Sequence, residues 1–393
     1  MIQLLLQLAV LGVVMFPLGA YMARLYQGQA TFLTPVLAAF ERTVYGLAGI
    51  DPGKTMDWKT YALAALIFSA LGFVALYGLL VMQAGLAPDT AFTVAAGFVT
   101  NAHVLPQDQM PAVTVFSRAA GLTVQNFLSA GVGMAAFAAV ARGVAQRGGR
   151  AIGNFWVDLV RSLLYVLLPL SLIYAGLVST AGVGEAVDLW VTAHSAHGGP
   201  VPVPGPGLVN GLVTHSGALL NADSAQIDAL SSPLMRLVAF LSLTLIPAAL
   251  CWSFAIMAGN RRMGAGLLAL VVLLSLPGLI GGTSNPVAVF TSAFAGSYAV
   301  LLYGLVTVQV AMASFRGGVP LQPFEVAMAA VALIVPCVIG VICIALVGRG
   351  GRVAGFPYPA LSVALLFGRF WVMIPALALA GSISSDSRSW ETP

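Results

Sequence analysis

Two short stretches of this sequence share a pattern able to strip water from a cation. Gly97-Phe98-Val99-Thr100-Asn101-Ala102 and Gly211-Leu212-Val213-Thr214-His215-Ser216 both read Gly, apolar, Val, Thr, Asn or His, small. Each follows an apolar stretch too short to cross a bilayer, about 89 to 98 and about 205 to 213, and each lies between longer apolar segments. A half-helix that ends in an extended Val-Thr turn presents successive backbone carbonyls, and rings of such carbonyls replace the hydration shell of potassium in ion filters. The carboxyl end of the half-helix dipole would face the ion and favour a cation. As bare text, the two hexamers are also compatible with ordinary loop composition.

Other chemistry is poorly supported. Gly49-Ile50-Asp51-Pro52-Gly53-Lys54-Thr55 resembles a phosphate-binding loop, yet it has three residues between its glycines where four are needed, and no strand pattern precedes it. No nucleotide site is expected on this chain. His194 and His197 stand three apart without an acidic or Cys partner at ligand spacing, so solvated loop histidines are expected. Asp158 and Arg161, three apart near the start of an apolar run, are expected to pair, because each alone is costly in a membrane. Cys251, Cys337 and Cys343 all fall inside apolar helical runs and read as packing residues.

The elements that must hold these residues follow from charge. Only 17 Lys and Arg and 13 Asp and Glu occur in 393 residues, or 8%, against about 25% in soluble chains. With 59% hydrophobic residues, a soluble enzyme, a disordered chain and a secreted disulfide scaffold are excluded. Uncharged runs cover 1–23, 60–88, 119–141, 162–184, 237–260, 263–315 and 326–348. About 20 apolar residues cross the hydrocarbon layer, so these runs predict membrane helices. The run 263–315 is too long for one helix and breaks at Gly278, Gly281, Gly282 and Asn285-Pro286, which leaves 287–313 as a span or a re-entrant element. A last segment, about 359–381, carries Arg369 in an otherwise apolar run. Residues 1–23 lack the basic start of a secretory signal and are expected to stay as a helix.

Basic residues gather in 24–60 (Arg24, Arg42, Lys54, Lys59), at Arg142, Arg147 and Arg150, and at Arg261 and Arg262. Those loops are expected to be cytoplasmic and the N-terminus outside. Apart from Asp158, no Asp or Glu falls within a predicted span, so neutral carbonyls are the expected cation ligands.

Several separated stretches resemble the A subunit of the Kdp potassium-transporting ATPase. They are Pro17-Leu18-Gly19-Ala20-Tyr21-Met22-Ala23-Arg24, Phe40-Glu41-Arg42, Gly49-Ile50-Asp51-Pro52 and Met56-Asp57-Trp58-Lys59-Thr60-Tyr61. Phe98-Val99-Thr100-Asn101 follows, then the run Ala120-Gly121-Leu122-Thr123-Val124-Gln125-Asn126-Phe127-Leu128-Ser129-Ala130. Asn154-Phe155-Trp156-Val157-Asp158-Leu159-Val160-Arg161, Ile246-Pro247-Ala248-Ala249-Leu250-Cys251, Gly368-Arg369-Phe370, Ile374-Pro375 and Ala380-Gly381-Ser382 complete the series in the family's order.

The resemblance implies an all-α polytopic membrane protein built from helix, pore loop, helix units of the potassium-channel-like superfamily. The units would be 60–142, 156–260, a degenerate third at 263–322 and a shortened fourth at 323–385, preceded by the extra helix 1–23. It also implies a potassium-binding and translocating subunit in a prokaryotic plasma (inner) membrane. The implied partners, besides the lipid bilayer, are a P-type ATPase catalytic subunit and small accessory membrane subunits, with no nucleic acid. The Asp-Lys-Thr-Gly-Thr phosphorylation motif is absent here, in keeping with ATP hydrolysis by a partner.

Val99, Thr100 and Asn101 would carry the first filter. In the second repeat the family's glycine-rich Thr-Asn-Gly-Gly-Gly reads Thr214-His215-Ser216-Gly217-Ala218, losing glycines that let carbonyls turn toward an ion. In the third, the centre is Tyr298-Ala299-Val300-Leu301-Leu302-Tyr303-Gly304, and only Gly304 survives. In the fourth, about eleven residues between Val347 and Pro359 are too few for a pore helix and its return, and the family's last helix is expected to be missing. Arg118 stands where the family has a neutral Gln; a charge 4 Å from the ion would oppose it by about 4 kcal/mol at an effective dielectric of about 20. A non-conducting A-type subunit with an assembly or regulatory role is therefore the alternative expectation.

Overall fold

Apolar segments as long as a bilayer is thick fold as helices, because only a helix pairs every backbone N–H and C=O within its own segment where water is absent. The computed structural model describes residues 2–83, 86–101, 114, 116–145, 151–173, 190–194, 200–204, 233–269, 327 and 358–385. In chain order its elements are α1 (Ile2–Tyr26), α2 (Thr34–Ala48), β1 (Met56–Asp57), α3 (Trp58–Gln83) and the short α4 (Pro88–Val99). A π-helical turn, Ser117–Thr123, leads into α5 (Val124–Ala145), and β2 (Ala151–Gly153) precedes α6. Helix α6 runs Phe155–Ile173 and contains a second π-helical turn, Ser162–Leu167. Then come β3 (Trp190–His194), β4 (Pro200–Pro204), α7 (Pro233–Met257), a helical stretch over 261–269 and α8 (Tyr358–Ser385).

Five described helices are long and apolar enough to cross a membrane: Leu6–Tyr26, Trp58–Gln83, Ala120–Ala145, Phe155–Ile173 and Leu365–Ser384. They correspond to the charge-free runs 1–23, 60–88, 119–141, 162–184 and to the segment 359–381. The fourth differs in place. It begins at Phe155, so Asp158 and Arg161 fall within its first two turns and not before it. The segments 287–313 and 328–348 lie outside the described residues.

The all-α expectation is corrected to mostly helical. Met56 and Asp57 pair with Gly153 and Ala151, and Trp190–His194 pairs with Pro200–Pro204, each as a two-stranded antiparallel ribbon. In the second ribbon, Pro alternates with Val201 and Val203, so the N–H groups missing from proline leave every other position free to pair.

Helix α5 lies at the centre of the bundle and is buried nearly all round. It can be, because its faces are Ala and Gly, which let neighbouring backbones approach closely. A Cβ on Gly131 would meet Leu163 of α6 at 2.8 Å, and one on Gly143 would meet the Ala380 carbonyl of α8 at 2.8 Å. Helices α1 and α7 pair along their lengths. There a Cβ on Gly19 would lie 2.6 Å from the Ala249 carbonyl and 2.8 Å from Trp252. Cys251 is buried in the same α7 packing.

The expected Asp158–Arg161 pair is not formed. Asp158 is bound by Arg142 of α5, whose guanidinium also donates to the carbonyls of Ile152 (2.6 Å) and Tyr26 (3.2 Å). The Tyr61 hydroxyl lies 3.0 Å from the same carboxylate. Arg161 instead donates to Glu41 of α2 at 3.0 Å, and Tyr45 and Tyr165 complete that carboxylate's shell, each at 2.7 Å. Neighbouring helices outcompete the local partner because they approach each charge from its open side. Gly153 has φ +127, and a side chain there would strike Arg142, so the strand's glycine makes room for this pairing. Burial tends to raise the Glu41 pKa, but the hydrogen bonds from Tyr45, Tyr165 and Arg161 outweigh it and hold the group below its ordinary 4.5. Its contribution to stability is complete above that ordinary value and is lost as pH falls through the lowered one.

The close α1–α7 contact makes a checkable expectation. Gly19→Val forces the pair apart and costs about 1–3 kcal/mol, read as a lower Tm in detergent. Gly78→Val, where nothing lies within 4 Å of the added atom, leaves Tm unchanged.

Candidate functional site

The short helix α4 starts with Pro88 at its first turn and Asp89 beside it, both suited to a helix N-terminus. From Thr90 to Val99 every residue but Phe92 is buried, with the helix packed between α3, α5 and α8. It stops at Val99. Thr100 still donates its N–H to the Ala96 carbonyl at 3.0 Å, while its hydroxyl lies 2.7 Å from that oxygen and 3.2 Å from the Gly97 carbonyl. Asn101 then turns left-handed, with φ +62. Asn is among the few non-glycine residues that adopt this conformation readily.

The turn is held from two sides. From α5, the Ser129 hydroxyl lies 3.3 Å from Asn101 Oδ1 and 3.0 Å from the Asn126 carbonyl. From α8, Arg369 Nη1 donates to the Thr100 carbonyl at 3.3 Å and Nη2 to the Ser129 carbonyl at 2.5 Å. Arg369 is only 5% exposed. One helical repeat earlier, the Ser362 hydroxyl meets that of Thr93 at 3.0 Å. Ser362 and Arg369 are seven residues apart on α8, as are Thr93 of α4 and its cap Thr100, so the two helices run parallel with matching faces. The guanidinium therefore stands at the carbonyl end of α4, where the helix dipole favours a cation.

The run Ala120–Ala130 gains a physical account. The π-helical turn brings Gly121 against α3, where a Cβ would meet Leu79 at 2.5 Å. The Gln125 amide occupies the space beside Gly72 of α3. Other family-like stretches also meet in space. Gly49 caps α2 in a left-handed conformation, and the Asn154 amide donates to the carbonyls of Asp51 (3.1 Å) and Lys54 (2.8 Å). The stretch that resembles a phosphate-binding loop is thus a helix cap and a tied turn.

Of the expected filter positions, Val99, Thr100 and Asn101 fall together at this buried turn. Thr214, His215, Ser216, Gly217 and Gly304 lie outside the described residues. Arg118 has its backbone in the π-helical turn Ser117–Thr123, and its side chain lies outside them. Sequence reasoning did not assign Ser129, Ser362 or Arg369 to the site. The signal for Arg369 was present: it is the sole charge in its predicted span.

Such a bundle, with a half-helix ending inside it, is a multi-pass helical membrane protein. Comparison with known proteins narrows the class. The family model described as "Potassium-transporting ATPase A subunit" matches residues 5–310. A potassium-transporting ATPase potassium-binding subunit of Solidesulfovibrio magneticus is 30% identical over 535 aligned positions, covering 100% of this chain and 92% of the relative. The subunit of that name from Herpetosiphon aurantiacus is 29% identical, covering 98% and 90%. That from Rhodospirillum centenum is 39% identical, covering 71% of this chain and 51% of its own length. The chain belongs to the potassium-transporting ATPase A subunit family. The 535 aligned positions exceed the 393 residues here, so the Solidesulfovibrio relative carries segments without a counterpart in this chain.

The geometry at Asn101 predicts an order of stabilities. Asn101→Gly keeps the left-handed turn unstrained and loses the Ser129 hydrogen bond, about 1 kcal/mol. Asn101→Val loses that bond and adds left-handed strain of about 1–2 kcal/mol, so its Tm falls further.

Proposed function

We propose that this chain binds potassium and moves it through a carbonyl-lined filter, as the membrane subunit of a P-type ATPase complex in which a partner hydrolyses ATP. One observation carries the reading: in a member of this family, a buried half-helix ends at Val99-Thr100-Asn101 with its carbonyl end closed inside the bundle. Helices α3, α4 and α5 then form the first repeat, 60–142. The second to fourth units are 156–260, 263–322 and 323–385, and Thr214, His215, Ser216, Gly217 and Gly304 supply further carbonyls around the same path. Potassium is cargo. The catalytic ATPase subunit and small accessory subunits are the partners, in a prokaryotic plasma membrane with the N-terminus of this chain outside.

Arg369 sets the energetics of this path. Its two donors take one carbonyl of the turn and one of α5, so the cage nearest α4 is shared between a fixed cation and a mobile one. A fixed charge about 8 Å from an ion at an effective dielectric of about 20 opposes it by about 2 kcal/mol, or about thirtyfold in affinity. The opposition keeps the site weak enough to release its ion, which conduction requires.

A second reading, a non-conducting subunit that docks on the same partners, is favoured by the replaced centre Tyr298–Gly304 and the short link before Pro359. The two separate in one experiment. Co-expressed with the ATPase subunits of its own genome, the chain restores growth of potassium-uptake-deficient cells at low external potassium. Its purified complex shows potassium-stimulated ATP hydrolysis. Assembly without either response supports the docking reading. In the conducting case, Arg369→Gln lowers the apparent KM for potassium and also lowers kcat. An unchanged KM would remove Arg369 from the ion path.

A further inference from the structure

Helix α2 has its surfaces reversed for a helix in water. Fifteen residues are too few to span a bilayer. The helix is tied by short links to the end of α1 at Tyr26 and to the start of α3 at Trp58, both membrane spans. It therefore stays beside the membrane face where those spans end. Its inward face holds Glu41 and Tyr45: Glu41 is bound by Arg161 and Tyr165, and Tyr45 packs on Val157 and Val160 of α6. Its outward face is apolar. Val36, Phe40 and Leu47 fall on one stripe at helical spacing and are 73%, 62% and 86% exposed, and Phe32, just before the helix, is 76% exposed. A helix that turns its carboxylate into the protein and its Phe and Leu away has no aqueous rationale.

Charge names the occupant. Arg24, Arg42, Lys54 and Lys59 are all exposed around this helix. Of the three acids in the same segment, Glu41 is taken inward by Arg161, while Asp51 and Asp57 stay exposed and charged, so four cations face two carboxylates. The exposed rim of the stripe is left net basic. Trp58, with Lys59 5.8 Å from its ring centre, marks the same level as an interfacial aromatic. An apolar stripe bordered by cations, held at the end of two spans, fits the boundary between acyl chains and negatively charged headgroups.

We propose that α2 lies in the plane of the membrane, with Phe32, Val36, Phe40 and Leu47 inserted among acyl chains and the surrounding cations drawing anionic phospholipid. The Glu41–Arg161 pair clamps the helix to α6 and so fixes which face meets the lipid. The inference is independent of the potassium reading.

The test places single cysteines at Val36, Phe40, Leu47 and Arg42 in the full-length chain with its three native cysteines replaced. Each is labelled with bimane and reconstituted in vesicles. Labels at 36, 40 and 47 are quenched by lipid brominated on its acyl chains at least about twofold more than the label at 42, and iodide in the water shows the reverse order. Brominated phosphatidylglycerol quenches more than brominated phosphatidylcholine at equal mole fraction, and Arg42→Ala with Lys54→Ala cuts that preference by up to about fivefold per cation. Iodide access equal to that at Arg42 would put the stripe in water and overturn the proposal. Silence to both quenchers would mean that protein covers the stripe, and equal quenching by the two lipids would remove the anionic specificity. The three stripe positions report independently, so a single misfolded variant does not decide the outcome.

Discussion

The bond from Arg369 to the Thr100 carbonyl is the contact on which the candidate site depends. A half-helix buried in a membrane protein leaves its last carbonyls without intrahelical partners, and no water is at hand to meet them. Something positive must face that end. Here the charge comes from α8, which also joins the turn to the Ser129 carbonyl and so locks α4, α5 and α8 into one register. The Ser362–Thr93 contact a repeat earlier keeps the two helices parallel, so the guanidinium arrives at the helix end and not along its side. Potassium, in the proposed function, competes for the same oxygens that this arginine uses.

A second constraint is the cost of charge in lipid. The chain has few ionised groups, and several of the buried ones are gathered into networks. Arg142, Asp158 and Tyr61 join α5, α6 and α3; Glu41, Arg161, Tyr45 and Tyr165 join α2 to α6. Breaking one member of such a buried pair strands the other, at a cost of about 3–5 kcal/mol. These networks meet at the end of the bundle where α1 stops and α3 starts, while the carbonyl turn lies further along α5. The arrangement leaves the neighbourhood of the turn with neutral carbonyls and one buried arginine, Arg369, among the described side chains.

Much of this was legible in the sequence, for identifiable reasons. Span positions follow from where charge is absent, because hydrocarbon punishes every ionised group in the same direction. The short helix before Val99 was legible because its length is wrong for a span and right for a half-helix. Partner choice was not. Spacing placed Asp158 opposite Arg161, but pairing is decided by which helix approaches from outside, and sequence carries no record of that approach. Arg369 was visible as a lone charge, yet its neighbour Thr100 lies 269 residues away in the chain. The π-helical turns that aim Gly121 toward α3 and open the Tyr165 carbonyl to the Tyr21 hydroxyl at 2.9 Å leave no periodic signature of their own.

The central claim is that the turn at the end of α4 is an ion site made of main-chain oxygens. The most direct measurement is the anomalous scattering of thallium, a potassium substitute, in crystals of the assembled complex. The account predicts a peak within coordinating distance of the Val99 and Thr100 carbonyls that fades as potassium is added back. Fully occupied thallium sites elsewhere in the complex, with none at this turn, would contradict it.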